Sequence, residues 1–316
     1  MRLLVTRRMT ERAEAAISAE FDADFRDETT PLTEAEALAA LRDYDAVLPT
    51  LGDPFNASVL GAGDLRAGML ANFGAGYNHI DVEAARAAGI AVSNTPEVVT
   101  ESTADIALAL ILMVARRAGE GERLLRAGGW TGWHPTQMLG RNVSGATVGI
   151  VGMGRIGQAI ARRCHHGFGM RVVFHNRSTV SGLEFPATQL PLPEVLAQAD
   201  FVVLAVPGGG ASRHLIGAPE LAAMQRGAFL INIARGDVVD ESALIAALQE
   251  RRIAGAGLDV YEHEPQVPAA LVALENAVLL PHLGTAADEV RTAMALRALD
   301  NLLAWRAGRE PGDRVA

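Results

Sequence analysis

Lysine is absent from this chain of 316 residues, and all 28 basic side chains are arginine. That excludes Schiff-base chemistry and a Walker-type phosphate loop, both of which need a lysine amine. An anionic ligand must be held by arginine, histidine or backbone N–H groups. Cysteine occurs once, at Cys164, so no disulfide can form within the chain. Cys164 falls in a helical stretch and is expected to be buried and inert. No apolar run reaches the ~18 residues that a membrane span needs. The short apolar stretch at the N-terminus reads as a first strand, not a signal peptide, and a cytoplasmic location is expected. There is no Gly-x-Ser-x-Gly elbow. His165-His166 lacks the i,i+4 spacing of a metal pair, so no metal site is expected. The net charge of −9 argues against nucleic acid or an anionic membrane surface as partner.

What is present is an ordinary globular composition, 49% hydrophobic and 21% charged, long enough for two domains. Its most informative stretch is Thr147–Gly157, an apolar β-type run that breaks into Gly152-x-Gly154-x-x-Gly157 and continues as a helix. In a dinucleotide fingerprint the first glycine makes the tight turn. The second lets backbone approach a pyrophosphate, and the third lets helix pack close to strand. The pyrophosphate would sit on free N–H groups near Arg155 and Ile156. About 145 residues precede the motif, enough for another domain.

Those first residues alternate strand signals (Leu3–Val5, Ala46–Leu48, Met69–Ala71, Ile90–Val92) with helical ones. One helix opens with the capping box Thr33–Glu36, and another, Asp81–Ala88, stops at Gly89. A long apolar helix is expected over Val98–Arg117, buried between domains or subunits. From Thr147 six strands recur: Thr147–Val151, Val172–His175, Phe201–Val206, Phe229–Asn232, Gly257–Val260 and Val278–Leu280. Six with crossovers make a doubly wound sheet. The last helix is expected over Ala286–Ala307 with Thr285 as N-cap, followed by a frayed tail, Gly308–Ala316.

Ligands of such a sheet bind beyond the carboxyl ends of its strands. Three successive strands are followed there by one functional candidate each: Arg235, Glu264 and His282. A guanidinium can grip a carboxylate with two parallel hydrogen bonds. An imidazolium can protonate the oxygen of a carbonyl that receives hydride. A carboxylate on the other ring nitrogen would orient that imidazole. Glu262 and His263 compete with Glu264 for this place. The trio suits reduction of a 2-keto acid.

The chain resembles the D-isomer-specific 2-hydroxyacid dehydrogenases at Gly152-Met-Gly-Arg-Ile-Gly157, Ile231-Asn-Ile-Ala-Arg-Gly236, Gly257-Leu-Asp-Val-Tyr-Glu-His-Glu-Pro265 and Pro281-His-Leu-Gly284. Within them it looks most like the glyoxylate/hydroxypyruvate reductases, at Trp130–Thr136 and His175-Asn-Arg-Ser178. The resemblance implies an α/β architecture of two doubly wound domains. A Rossmann dinucleotide-binding domain, residues 98–285, is inserted in a smaller flavodoxin-like substrate domain, residues 1–97 and 286–316, which the last helix completes. It implies catalytic roles for Arg235, Glu264 and His282, and contact of Asp259 with the nicotinamide carboxamide. It also implies cofactor contacts from Thr103, Val206, Pro207 and Ala234. Substrate contacts are implied at Leu51 and Gly52 and at the N–H groups of Gly74, Ala75 and Gly76. The helix Val98–Arg117 would lie in a homodimer interface.

Two departures stand out: Thr285-Ala-Ala287 where the family often has Ser-Ala-Thr, and Gly208-Gly-Gly-Ala-Ser212 where it often carries threonines. An NAD site places an acid at the end of the second strand of the fold. Here Asn176, Arg177 and Ser178 stand there. Arg177 and Ser178 suit a 2′-phosphate, so NADP(H) is the preferred cofactor, with NAD(H) through Asn176 as the alternative. Formate dehydrogenases and phosphoglycerate-type dehydrogenases share the architecture, and transcriptional corepressors resemble the family. Glu264 opposes the formate reading.

Overall fold

The computed structural model describes residues 1–316. The chain separates into two compact units, Met1–Val99 with Thr285–Ala316, and Thr100–Gly284. No helix is long and apolar enough to cross a membrane.

The first unit runs β1 (Arg2–Val5), α1 (Glu11–Glu20), β2 (Asp22–Phe25), α2 (Glu34–Asp43), β3 (Ala46–Leu48), α3 (Ala57–Leu60), β4 (Met69–Ala71), α4 (Val82–Ala87) and β5 (Ala91–Ser93). All neighbours pair in parallel, in the order β2-β1-β3-β4-β5 of flavodoxin-type sheets. The inner strands are buried on both faces, which is why they read as plain apolar runs. The Thr33–Glu36 capping box forms. β2 was not expected. Its sequence, Asp-Ala-Asp-Phe, hides an edge strand whose acids blunt the open edge.

The second unit begins with α5 (Thr100–Ala115) and α6 (Ala118–Arg126). The helix expected over Val98–Arg117 is α5, and α6 beyond it was not expected. Arg117 is left-handed at φ +54, and its guanidinium grips Glu120 through two hydrogen bonds. α5 is buried, as its composition requires, against the sheet and the helix after the glycine turn. There follow β6 (Thr147–Val151), α7 (Arg155–Phe168), β7 (Arg171–His175), β8 (Ala187–Gln189), α8 (Leu192–Gln198), β9 (Phe201–Leu204), α9 (Ala218–Ala223), β10 (Phe229–Asn232), α10 (Glu241–Gln249), β11 (Gly255–Leu258), α11 (Ala269–Val272) and β12 (Ala277–Leu279). The parallel order is β12-β11-β10-β9-β6-β7-β8. This sheet has seven strands, not six. β8 is three residues long, and Ala-Thr-Gln carries no apolar run to betray it. Alternation puts Phe201 and Val203 in the core under α5 and α7, and Val202 and Leu204 in the core on the other face. Cys164 is fully buried, and burial pushes its thiol up to about 12.

The chain then returns to the first unit as α12 (Asp288–Arg306), packed on α1 and β4. Its N-cap is Ala287, not Thr285, because the Ala287 N–H turns back to the Thr285 carbonyl at 2.8 Å. The tail is not frayed. Val315 N–H donates to Val92 O, Val92 N–H to Ala316 O, and Asn94 N–H to Asp313 O. Arg297 grips Asp313 with two hydrogen bonds of 2.6 and 2.9 Å, and Asn301 adds a third of 3.0 Å.

Asp313→Ala removes these charge-assisted bonds. Arg297 is partly exposed and can rehydrate, so the loss should be about 1–2 kcal/mol. The urea midpoint of the variant checks it; an unchanged midpoint would mean that the tail is loose in solution.

Candidate active site

β6 and β9 are neighbours where the strand order reverses, the place where doubly wound sheets bind ligands. The glycine turn sits there. Gly152 has φ +99 and donates its N–H to His175 O at 2.9 Å. A Cβ on it would stand 2.7 Å from Ala205 O and 2.9 Å from Val206 Cγ1. A Cβ on Gly157 would lie 2.0 Å from Gly152 O, so only glycine lets α7 start this close to the strand end. A Cβ on Gly154 would meet nothing within 4 Å. α7 begins at Arg155 with Ile156 half-buried behind it, and no side chain caps its first N–H groups. An uncapped helix N-terminus over open space fits a pyrophosphate.

At the end of β7, Asn176 is already engaged. Its Oδ1 accepts from Met153 N–H at 3.2 Å, and its Nδ2 donates to Ser178 O and Oγ at 3.0 and 3.1 Å. It shapes the turn, where sequence reasoning offered it to a ribose. Arg177 and Ser178 are exposed, and the Arg177 guanidinium has no partner in the chain.

The three strand-end candidates come after three adjacent strands, β10, β11 and β12. His282 Nδ1 lies 2.8 Å from Glu264 Oε2. The other carboxylate oxygen accepts the Tyr261 N–H at 3.0 Å. Burial alone would raise the Glu264 carboxyl. The bond and charge of His282, the Tyr261 N–H and the charge of Arg235 outweigh it and hold the group below its ordinary value. Glu264 thus takes the place that Glu262 and His263 contested. Glu262 turns to His214 and Arg213, and His263 bridges to Gln266.

Arg235 makes one side-chain bond, from Nη1 to Ala234 O at 2.8 Å, and its buried Nε has no partner. Burial lowers its pKa from the usual value; the charges of Glu264 and Asp237 oppose this without forming an ion pair. A buried guanidinium with a free donor has unmet hydrogen-bonding capacity of the kind a carboxylate can fill.

Four further residues support this arrangement; Asn232 and Gly236 escaped sequence reasoning, and for Asp259 and Thr103 the resemblance implied cofactor contacts but not these bonds. Asn232 closes the Arg235 turn, accepting from Ala234 N–H and donating to Arg235 O. Gly236 lies so close to the next loop that a Cβ would stand 1.8 Å from the Tyr261 carbonyl carbon. Asp259, fully buried, accepts Leu283 N–H at 2.6 Å and Gly284 N–H at 2.8 Å, and its own carbonyl accepts His282 N–H at 2.9 Å. Burial raises its pKa, against these N–H groups and the charge of His282. His282 itself has φ +54, an uncommon conformation outside glycine that this grip over-determines. Thr103, with Ser102, donates to Gly284 O and closes the same turn. For Asn232 the only signal in sequence was a polar residue at the end of an apolar strand. Val206 packs against Gly152, and Pro207 beyond it is exposed.

In the first unit, two loops follow β3 and β4. Phe73 N–H donates to Pro49 O and joins them. Leu51 is exposed, and Gly52 has φ +90. Beneath them the buried Asp53 accepts from Thr6 Oγ1, Thr50 N–H, Leu32 N–H and Arg7. The carbonyls of Gly74 and Gly76 are held by Asn72 Nδ2, and that of Ala75 by Asn94 Nδ2. Gly74 N–H is spent on Thr95 Oγ1 at 3.0 Å. Its donor is therefore turned inward, whereas those of Ala75 and Gly76 have no partner in the chain.

Comparison with known proteins agrees with this geometry. Residues 108–284 match the D-isomer specific 2-hydroxyacid dehydrogenase, NAD binding domain. A glyoxylate reductase of Korarchaeum cryptofilum is 43% identical over 99% of this chain and 95% of its own length. One of Pyrococcus furiosus is 43% identical over 98% of this chain and 94% of its own. The crystal structure of an NADPH-dependent glyoxylate/hydroxypyruvate reductase from Sinorhizobium meliloti, in complex with NADP and malonate, superposes with a TM-score of 0.88 at 37% identity. It covers all of this chain and 96% of that one. With a glycine turn at the sheet's switch point, and arginine, glutamate and histidine at three successive strand ends, the chain belongs to the D-isomer-specific 2-hydroxyacid dehydrogenase family.

Proposed function

We propose that this chain reduces small 2-keto acids, glyoxylate and hydroxypyruvate among them, to 2-hydroxy acids with NADPH. The observation that carries the reading is the buried, unpartnered Nε of Arg235 beside the His282–Glu264 pair. Bound NADPH supplies the hydride. Arg235 takes the substrate carboxylate in a two-pronged grip and fixes the neighbouring carbonyl. His282 donates a proton to the carbonyl oxygen as charge grows there, so that one hydride and one proton complete the hydroxyl group. Glu264, its carboxyl held below the ordinary value by His282, orients the ring through Nδ1 and leaves Nε2 for the substrate.

By the same family resemblance, the N–H groups of Ala75 and Gly76 and the Leu51–Gly52 turn would contact substrate. Gly152, Gly154 and Gly157, with the N–H groups near Arg155 and Ile156, would hold the pyrophosphate. Val206, Pro207, Thr103 and Ala234 would line the cofactor. Asp259 keeps lone pairs for the carboxamide while anchoring the histidine turn. Arg177 and Ser178 would take the 2′-phosphate: a free guanidinium and a hydroxyl stand where an NAD site has an acid. The exposed Leu112, Leu125, Trp130, Trp133 and Leu139 support a homodimer that covers them.

Arg235→Ala should lower kcat/KM for glyoxylate on the order of 10²-fold or more, with Arg235→Lys recovering only part. A near-normal alanine variant would remove Arg235 from the site.

His282→Asn should abolish most turnover and leave NADPH binding intact. Glu264→Gln removes the charged acceptor that orients the His282 ring and should lower kcat for glyoxylate at least about tenfold with little change in its KM. An unchanged kcat would break the pairing.

Wild type should favour NADPH over NADH, and Arg177→Asp should reverse this, mainly through the cofactor's KM. One charge-assisted bond is worth roughly 1.5–3 kcal/mol, or about one to two decades, and repulsion adds to it. Steady-state kinetics with both cofactors decides; a wild type that prefers NADH would assign Arg177 to the solvated surface.

A further inference from the structure

Three successive glycines, Gly208–Gly210, could leave the loop after β9 slack, yet its far end is tied down. Ser212 is buried, and its Oγ donates to Pro207 O at 2.6 Å. Arg213 N–H donates to Gly209 O at 3.1 Å. His214 comes next at φ +50, held there by its N–H on Asp237 O at 2.7 Å, two residues beyond Arg235.

The side chains then reach a third loop. His214 Nε2 lies 2.7 Å from Glu262 Oε1, and Arg213 Nη2 lies 3.1 Å from the same oxygen. Glu262 is mostly buried, whereas His214 is partly open to solvent. The remaining Glu262 oxygen faces the first N–H of α10, at Glu241, and Asp240, His263 and the Glu241 carboxylate complete the charged surroundings. Burial alone would raise the Glu262 carboxyl; His214 and the backbone bond outweigh it, so it stays ionised.

Glu262 precedes Glu264 by two residues. The peptide between Tyr261 and Glu262 is the one pressed on Gly236, and the Tyr261 N–H holds Glu264 Oε1. One latch therefore joins the loop of Val206-Pro207 to the turn after Arg235 and to the turn that aims Glu264.

We propose that His214 and Glu262 are positioning residues for the reaction: the hydrogen bond between them sets the angle at which Glu264 meets His282, and ties that angle to the loop on the cofactor side. Neither touches the reacting atoms. The proposal rests on the reductase function above. It predicts an effect on the rate step with the carboxylate grip unaltered, because Arg235 keeps its own supports, Asn232 and Ala234.

The test is kinetic, with rates taken per NADPH-binding site so that unfolded protein does not count. His214→Ala and Glu262→Ala should each lower kcat for glyoxylate about tenfold, with little change in its KM. The double variant should lose no more than either single one. His214→Gln, whose amide can donate to the same oxygen, should recover most of the rate. In a Glu264→Gln background, His214→Ala should cost nothing further, because the latch acts through Glu264. Losses that multiply in that background, or a glutamine variant as slow as the alanine one, would overturn the latch while wild type still turns over. A wild type that does not reduce glyoxylate would overturn the reductase reading and the latch together.

Discussion

At the end of β11 a carboxylate is buried where burial opposes its charge. Burial raises the Asp259 carboxyl, and the N–H groups of Leu283 and Gly284, which point at it from the turn after β12, oppose that rise. The bond is reciprocal. The same N–H groups fix a turn that would otherwise have little reason to hold His282 at φ +54. With His282 fixed, Glu264 can meet its ring at 2.8 Å, and the imidazole presents its other nitrogen in one direction. Removal of Asp259 would free the turn and leave buried N–H donors unmet, a loss larger than that of a single hydrogen bond.

The electrostatics arise from the same crowding. Arg235 and Glu264 feel each other's charge but form no ion pair. A direct pair would satisfy both and close the site. Separation leaves the guanidinium under-bonded and the carboxylate committed to His282.

Much of this was legible in the sequence. Parallel strands buried on both faces read as apolar runs, and the residues just past each run lie at a carboxyl end. That placed Arg235, Glu264 and His282 at three strand ends, and Gly152–Gly157 at the sheet's switch point. The edges were not legible. β2 is half aspartate, β8 has three residues, and neither carries the apolar signal of a buried strand. The tail looked polar and loose, but Asp313 finds Arg297 and Asn301 on α12, partners that no local pattern reveals. The bonds that Asn176, Asn232, Asp259 and Glu262 make were hidden for the same reason. Their work is to bond backbone or side chains beyond their own strand or turn, and a residue's type announces a capacity to bond without naming the partner.

The central claim is that the under-bonded Arg235 receives the substrate carboxylate and that His282 faces the carbonyl oxygen beside it. A crystal structure with NADP and oxamate, an unreactive 2-keto acid analogue, tests this most directly. The account predicts two hydrogen bonds from the Arg235 guanidinium to the oxamate carboxylate, His282 Nε2 within hydrogen-bond distance of its carbonyl oxygen, and the His282–Glu264 bond intact. Oxamate bound with its carboxylate away from Arg235, or with His282 turned from the carbonyl, would contradict it.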